Sequence, residues 1–519
     1  MKKSHQLIVL LIIYLLALGI RIYWLSHKNN VSSVDEIYSV TLAHTNGYMW
    51  MNHYEFNKEY SGKELKEISL CSDDSLIDAL KDIFRLWRNN HDDHHTNLYF
   101  TFFRLSLTGL KTGNLNQIFF RGGILNLLFF TVSFVFFFLL VKLLFPDSKL
   151  LQFTATFCTF LSTATISNTL FMRPYQIQET MFIIFCYVFF KTIDLKKWVI
   201  DNNKLYINVK LVSFLSVITA FTLLSSYYAI IFIGLFGLYV IIINYRKCNY
   251  REINSYFIIL CLGVLFAQAF YSQYFVGYIS GRSQETARTL LGDISANILS
   301  SVKVAIILLH MHFFTYPVII ICGICLIYLL FHIFQKQRLH IKKEALIVFI
   351  VSLFYFVLVM LFAPYKILRY VMPVFPFFVF LPAMMINSIK KRIVSTIVML
   401  LLCAAFLVNS LNPKNIDNLN QNDPLDVYYF SRDADVPVYV LNSHPGKYAY
   451  LVPFFNDEQK YYFVDKFDDI NLKNYNELYI VVEATLEIPD SSLTKFEIKQ
   501  EFRTNYFVYK KVKVISNEN

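Results

Sequence analysis

The chain has 519 residues, 56% of them hydrophobic, 17% aromatic and only 16% charged. Soluble domains carry about 25% charged residues, so the composition excludes an ordinary water-soluble globule and points to a polytopic membrane protein. The formal net charge of +11 does not argue for a nucleic-acid partner, because the Lys and Arg residues sit in short loops between apolar runs, where they set topology.

In chain order, Met1-Lys2-Lys3 leads into an uncharged run, 7–20, that continues through Arg21 to Leu25. No small-residue cleavage site follows it, since Tyr23-Trp24-Leu25 stand there, and the run reads as a retained signal-anchor. Apolar runs near the ~20 residues that a bilayer span requires recur at roughly 119–141, 150–168, 176–193, 209–225, 227–244, 255–276, 315–334, 345–363, 371–388 and 393–410, so about eleven spans are expected. With the N-terminus inside, the cationic loops alternate correctly. Lys142 and Lys149, then Lys191, Lys196, Lys197 and Lys204, then Arg246, Lys247 and Arg251, then Lys336, Arg338, Lys342 and Lys343, and finally Lys390, Lys391 and Arg392 all fall on the cytoplasmic side. The outside receives 26–118, short loops near 169–175 and 226, the stretch 277–303, the loop 364–370 and everything after about 411. The stretch 304–334 is long for one span, and Pro317 is expected to divide it into an interfacial piece, with His310 and His312, and a true span.

The first outer loop carries Leu76, Leu80, Ile83, Phe84 and Trp87 at helical spacing, opposite Asp78, Lys81, Asp82 and Arg85. That is an amphipathic helix suited to the membrane interface, and a second is expected over 37–48. From Pro413 the composition turns polar and then β-rich, at 436–441, 478–482 and 507–515, which predicts a small extracytoplasmic α/β domain. The expected organisation is therefore an α-helical polytopic membrane domain over 1–410, with 26–118 as its first outer loop, followed by an α/β domain over 411–519. The eight cysteines are scattered and imply no disulfide framework. Cys322 and Cys325 have metal-like spacing, but lie inside an apolar run and read as packing residues.

The charges that lie outside, next to a span, define the candidate chemistry. They are Asp35 and Glu36 after the first span; Asp92, Asp93, His94 and His95 before the second; Arg173; and Lys366 and Arg369. Acids and separated cations on one membrane face suit an anionic, lipid-linked substrate, and the guanidinium fork suits phosphate. The plainer alternatives are a solvated loop start for the acid pair and snorkelling to lipid headgroups for the arginines.

These residues resemble a known family. Asp35-Glu36-Ile37-Tyr38 matches the Asp-Glu-x-Tyr text that follows the first span in the GT-C fold glycosyltransferases of family 39 type, the protein-mannosyltransferase and aminoarabinose-transferase group. His94-His95-Thr96-Asn97-Leu98-Tyr99-Phe100 is similar to that family's His-Pro-Pro-Leu-Tyr-Tyr segment, without its two prolines. Arg173-Pro174-Tyr175 resembles its Arg-Pro-Tyr element, Ser226-Tyr227-Tyr228 its His-Tyr turn with the His lost, and Arg369-Tyr370-Val371-Met372-Pro373 its Arg-Tyr-x-x-Pro element. The resemblance covers about residues 1–410 and none of the tail.

It implies inverting transfer of a sugar from a polyprenyl-phosphate donor to an acceptor hydroxyl of protein, lipid or polysaccharide, at the outer face of the plasma (inner) membrane. Phosphate is a good leaving group and needs no general acid. One carboxylate must take the acceptor proton, a role that falls to Asp35, while Glu36 orients the acceptor or holds a cation. Arg369, with Arg173 and Lys366, would stabilise the departing phosphate. His94, His95, Tyr38 and Tyr99 are the candidate substrate-binding residues. A divalent cation shared by Asp35 and His94 or His95 stays open. The alternative class is a multi-pass transporter or lipid flippase. It would want charges near mid-membrane, of which these spans have few, and no internal repeat is visible to support it.

Overall fold

The structure is a computed structural model describing residues 3–28, 34–44, 55–70, 75–90, 94–110, 115–193, 209–245, 250–291, 294–334, 342–417, 419, 434–441, 450–470, 475–486, 494–504 and 507–515. The chain forms two compact units that interleave in sequence. One comprises Met1–Lys28, Asp93–Tyr99 and Gly123–Leu419, the other Asn29–Asp92, Phe100–Gly122 and Asn420–Asn519. The helices run α1 (Lys3–His27), α2 (Val34–His44), α3 (Gly62–Ser69), α4 (Leu76–Arg88), α5 (Leu98–Ser106), α6 (Leu115–Leu144), α7 (Lys149–Phe160), α8 (Thr163–Leu170), α9 (Tyr175–Ile193), α10 (Val209–Ser225), α11 (Ala229–Tyr245) and α12 (Tyr250–Phe270). Further long helices cover Ile294–His312, Tyr316–Phe334, Lys343–Phe362 and Arg392–Ser410.

The first unit is an all-helical membrane domain. Among the described residues, five helices are long and apolar enough to cross a bilayer unbroken: α1, α6, α12, and the helices Lys343–Phe362 and Arg392–Ser410. Two bent pairs bring the number to as many as seven. α7 and α8 meet at 51°, and the helices on either side of residues 313–315 meet at 93°. The remaining expected spans fall on α9 and on shorter apolar helices, α10, α11 and Met372–Asn387. Each break has a local cause. Ser162 caps α8, its Oγ accepting from the amide of Thr165 at 3.4 Å. Pro317 stands in the first turn of the helix after the sharper bend, where its missing N–H costs nothing. Helices α10 and α12 approach closely because Gly263 faces Thr219; a Cβ there would meet the threonine side chain at 2.6 Å, so only the small residue lets the backbones meet. Trp24 donates to the carbonyl of Ser410 at 2.9 Å, tying the end of α1 to the end of the last membrane helix.

The second unit is built on a six-stranded sheet. Its strands are β1 (Glu59–Ser61), β2 (Val438–Leu441), β3 (Lys460–Val464), β4 (Glu477–Glu483), β5 (Phe496–Arg503) and β6 (Phe507–Val514), in the order β1-β3-β2-β4-β6-β5. β2 runs parallel to both neighbours, with Tyr439 opposite Tyr462 and Ile480, and the other pairings are antiparallel. Strand β4 is buried almost throughout, as expected for a central strand covered on both faces. One face carries Tyr439, Val464, Leu478, Ile480, Val482 and Val512 as its core. The edge strand β5 is exposed apart from Phe496; Glu497, Lys499, Glu501 and Arg503 discourage further pairing. The first unit runs to Leu419, and the segments 29–92 and 100–122, expected as part of a 1–410 domain, belong with the tail in the second unit, where Glu59–Ser61 supplies β1 to the sheet.

Helix α4 starts at Ser75, whose Oγ accepts from the amide of Asp78 at 3.1 Å. Its buried face is Ala79, Asp82 and Leu86, while Leu76, Ile77, Leu80 and Phe84 are exposed. The exposed side thus mixes these apolar residues with Lys81 and Arg85. Asp82 is turned inward, 2.7 Å from Nε of the fully buried Arg104 and 3.1 Å from Nη1 of Arg85. Exposed apolar residues flanked by cationic ones, on a helix held by a buried carboxylate, suit a membrane interface. The helix expected over 37–48 is α2, which begins at the acid pair itself, but it is no interfacial helix: Glu36, Ile37 and Ser39 through Ala43 are all buried, with no outward apolar face; 45–48 lie outside the described residues.

Candidate active site

In the first unit a small cavity is lined by His94, His95, Thr96, Pro174, Tyr175, Gln178, Ser225, Ser226, Tyr228 and Tyr370. Three short connections build it, each anchored through the backbone groups that helix ends leave unpaired. Thr96 donates to the carbonyl of Leu224 in the last turn of α10, and Asn97 Nδ2 donates to the carbonyl of Phe270 at the end of α12, at 3.2 Å. These bonds hold the 94–97 segment across two helix termini. The α8–α9 turn supplies Arg173, Pro174 and Tyr175. The α10–α11 turn supplies Ser226, whose Oγ accepts from the amide of Tyr228 at 3.2 Å.

Arg173, 4% exposed, brings its Nη2 to 3.2 Å from His95 Nε2 and 3.5 Å from Nδ1. A guanidinium only donates, so a ring nitrogen of His95 is the acceptor. Gln178 donates to the hydroxyl of Tyr355 at 3.1 Å. An aromatic chain closes the wall. Tyr175 stacks on Phe171 at 5.7 Å between centroids, and Tyr370 meets Tyr175 at 6.4 Å and Tyr228 at 5.9 Å, edge to face. Arg369, half-buried, sits with its Cζ 5.6 Å from the centroid of the Tyr370 ring. Lys366 donates to the carbonyls of Ala363 at 2.7 Å and Leu361 at 3.1 Å, at the C-terminus of the Lys343–Phe362 helix. Partial burial lowers its pKa from the usual lysine value.

The structure thus places His94 and His95 in the lining of one cavity, with Arg173 behind His95 rather than in the lining itself and Arg369 one residue from the Tyr370 wall. Tyr99 is buried, 1% exposed, in the first turn of α5. Asp35, Glu36 and Tyr38 belong to the second unit, on the first turns of α2, where the helix N-terminus favours carboxylates. Asp35 and Tyr38 are half-buried and Glu36 is fully buried. Among the described residues no three His, Cys, Asp or Glu side chains stand together as a metal-holding group; Asp92 and Asp93 lie outside them. Sequence reasoning omitted Gln178 from the site, although a polar residue one turn past Tyr175 in an apolar run was a usable signal. Tyr175, Tyr228 and Tyr370 stood inside the motifs without being assigned a part.

The bent membrane helices of the first unit and the sheet of the second belong to a polytopic membrane protein of GT-C fold. The fold is similar to that of ArnT from Cupriavidus metallidurans bound to undecaprenyl phosphate, with a TM-score of 0.53 at 10% identity over 96% of this chain and 97% of that one. At that identity the likeness establishes the fold. The archaeal oligosaccharyltransferase of Archaeoglobus fulgidus gives a TM-score of 0.49 at 11% identity, over 88% of this chain and 65% of that one. No family model matches the sequence, and no curated protein matches it.

Proposed function

We propose that this protein is an inverting glycosyltransferase of the plasma (inner) membrane, which moves a sugar from a polyprenyl-phosphate donor to an acceptor hydroxyl on the outer face. The N-terminus then lies in the cytoplasm and the sheet unit outside. The observation that carries the reading is the buried Arg173–His95 contact at the cavity of the membrane domain. A desolvated fixed cation beside an aromatic-walled cleft suits the phosphate of a lipid-linked donor, and the likeness to a fold crystallised with undecaprenyl phosphate supports the same substrate class.

In the step we infer, the Asp35 carboxylate takes the proton of the acceptor hydroxyl as its oxygen bonds to the sugar's anomeric carbon. The carbon–oxygen bond to phosphate breaks, and its electron pair leaves on the polyprenyl phosphate. Arg173 and Arg369 stabilise that growing charge. Lys366, whose protons are directed at a helix end, contributes at longer range. Glu36 orients the acceptor, with His94, His95, Tyr38 and Tyr99 shaping the substrate sites.

Incubating the purified protein with radiolabelled polyprenyl-phosphate sugars and envelope acceptors tests the reading. Free polyprenyl phosphate should be released as the label enters an acceptor. Intact donor across hexosyl, pentosyl and aminosugar forms would overturn it.

A further inference from the structure

The membrane domain buries two charges that the proposed chemistry does not use, Arg21 in α1 and Glu179 in α9, both 0% exposed. They are connected by a directional chain of hydrogen bonds. Arg21 Nε donates to Thr169 Oγ1 at 2.9 Å, Thr169 Oγ1 donates to Gln176 Oε1 at 2.8 Å, and Gln176 Nε2 donates to Glu179 Oε1 at 3.2 Å. Asn168 Nδ2 donates to the other carboxylate oxygen at 2.6 Å. The rest of the guanidinium is engaged too. Nη1 donates to the carbonyls of Phe160 and Ala17 at 2.7 and 3.1 Å, Nη2 donates to Thr165 Oγ1 at 3.2 Å, and Cζ lies 4.0 Å from the Phe130 ring centroid. A cation and an anion are thereby matched through two neutral side chains, in a layer where an isolated charge is costly.

The chain of bonds straddles one feature, the α8–α9 turn that presents Arg173. Thr169 is the penultimate residue of α8 and Gln176 the second residue of α9. The carbonyls that end α8 are held by side chains from outside it. Asn126 Nδ2 donates to those of Thr169 and Phe171 at 3.1 and 2.9 Å, and Lys28 Nζ donates to that of Leu170 at 2.7 Å. Three consecutive carbonyls fixed from Lys28, just past α1, and from Asn126 in α6, with α8 and α9 clamped across their base, leave the turn little freedom.

We propose that Arg21, Thr169, Gln176 and Glu179 are positioning residues, a charge-balanced relay that holds the 171–175 turn so that Arg173 stands at the cavity beside His95. The claim about the turn is independent of the reaction; its consequence for donor binding rests on the glycosyltransferase reading.

The test uses the full-length protein in detergent, with Thr169→Val, which removes the linking hydroxyl, and Thr169→Ser, which keeps it. Hydrogen exchange of the Phe171, Met172, Arg173 and Tyr175 amides should quicken in the valine variant and match wild type in the serine variant. Exchange in Thr169→Val equal to wild type, or an equal rise in Thr169→Ser, would overturn the relay. Binding of undecaprenyl phosphate, followed by native mass spectrometry, should weaken about tenfold or more in Thr169→Val, the scale of one lost charge-assisted contact. The valine change should add little in an Arg173→Ala background, because the two act on one contact; additive losses would show that the relay does not act through Arg173. If wild type fails to bind the lipid phosphate, the glycosyltransferase reading falls while the exchange result still decides the relay. If Thr169→Val does not fold, Gln176→Met cuts the same chain one link further on and is read in the same way.

Discussion

Replacing Arg173 by lysine keeps the positive charge and removes the planar fork. The wild-type guanidinium is 4% exposed and reaches His95 Nε2 at 3.2 Å, and its planar fork suits the paired oxygens of a phosphate. A lysine ammonium is a point donor that cannot reproduce that paired geometry. One charge-assisted hydrogen bond is worth roughly 1.5–3 kcal/mol, which corresponds to a loss of about ten- to 150-fold in kcat/KM for Arg173→Lys. Arg173→Ala also deletes the charge, and a lost donor at a developing anion costs on the order of 10²–10³ in kcat. Because phosphate gains charge only as the sugar leaves, the deficit should appear in kcat as well as in KM. Initial rates of polyprenyl-phosphate release, taken across donor concentrations, separate the two. An alanine variant within threefold of wild type would refute the assignment and leave Arg369 as the phosphate ligand.

Asp35→Asn should lose about 10²–10⁴ in turnover, the range for removal of a general base, with unchanged expression and thermal stability; activity above a tenth of wild type would remove Asp35 from the role. Asp82→Asn withdraws the carboxylate from the fully buried Arg104 and should cost roughly 3–5 kcal/mol of local stability, visible as faster hydrogen exchange through α4; unchanged exchange would show that the pair does not anchor the helix. A cysteine engineered into the β5–β6 edge of the sheet unit should react with an impermeant maleimide in intact cells; labelling only after lysis would place the tail in the cytoplasm.

Much of this architecture was legible in the residues. The alternation of cationic loops and apolar runs placed the membrane helices, because charge in a loop and hydrocarbon length in a span are physical requirements. Apolar residues at helical spacing from Leu76 to Trp87, opposite charged ones, marked α4. The β-branched and aromatic runs at 436–441, 478–482 and 507–515 announced strands β2, β4 and β6. Strand β1 gave no such signal: it is three residues long, and its partner Tyr461 lies 401 residues after Tyr60, so nothing local specifies it. β5, with its alternating charges, reads as solvated surface because an edge strand is just that. The break between α7 and α8 lies in a run without charges, at the small polar stretch Ser162-Thr163-Ala164-Thr165, and Ser162 and its cap decide it. In the candidate site the arginines and histidines were readable as charges beside spans. Gln176, Gln178 and Glu179 were absorbed into the hydropathy of α9, and a network whose members lie 148 residues apart, as Arg21 and Thr169 do, shows itself only in three dimensions.

The claim that a sugar is transferred from a lipid phosphate is tested most directly at the anomeric carbon. The full-length protein in proteoliposomes would be given a polyprenyl-phosphate sugar of defined anomer, carrying carbon-13 at that position, together with envelope acceptors, and the labelled carbon followed by NMR. The account predicts that its coupling to phosphorus disappears as the sugar becomes glycosidic with inverted configuration, and that Asp35→Asn slows this change. A label that stays coupled to phosphorus while wild-type protein moves the lipid across the bilayer, or that reaches the acceptor with retained configuration, would contradict it.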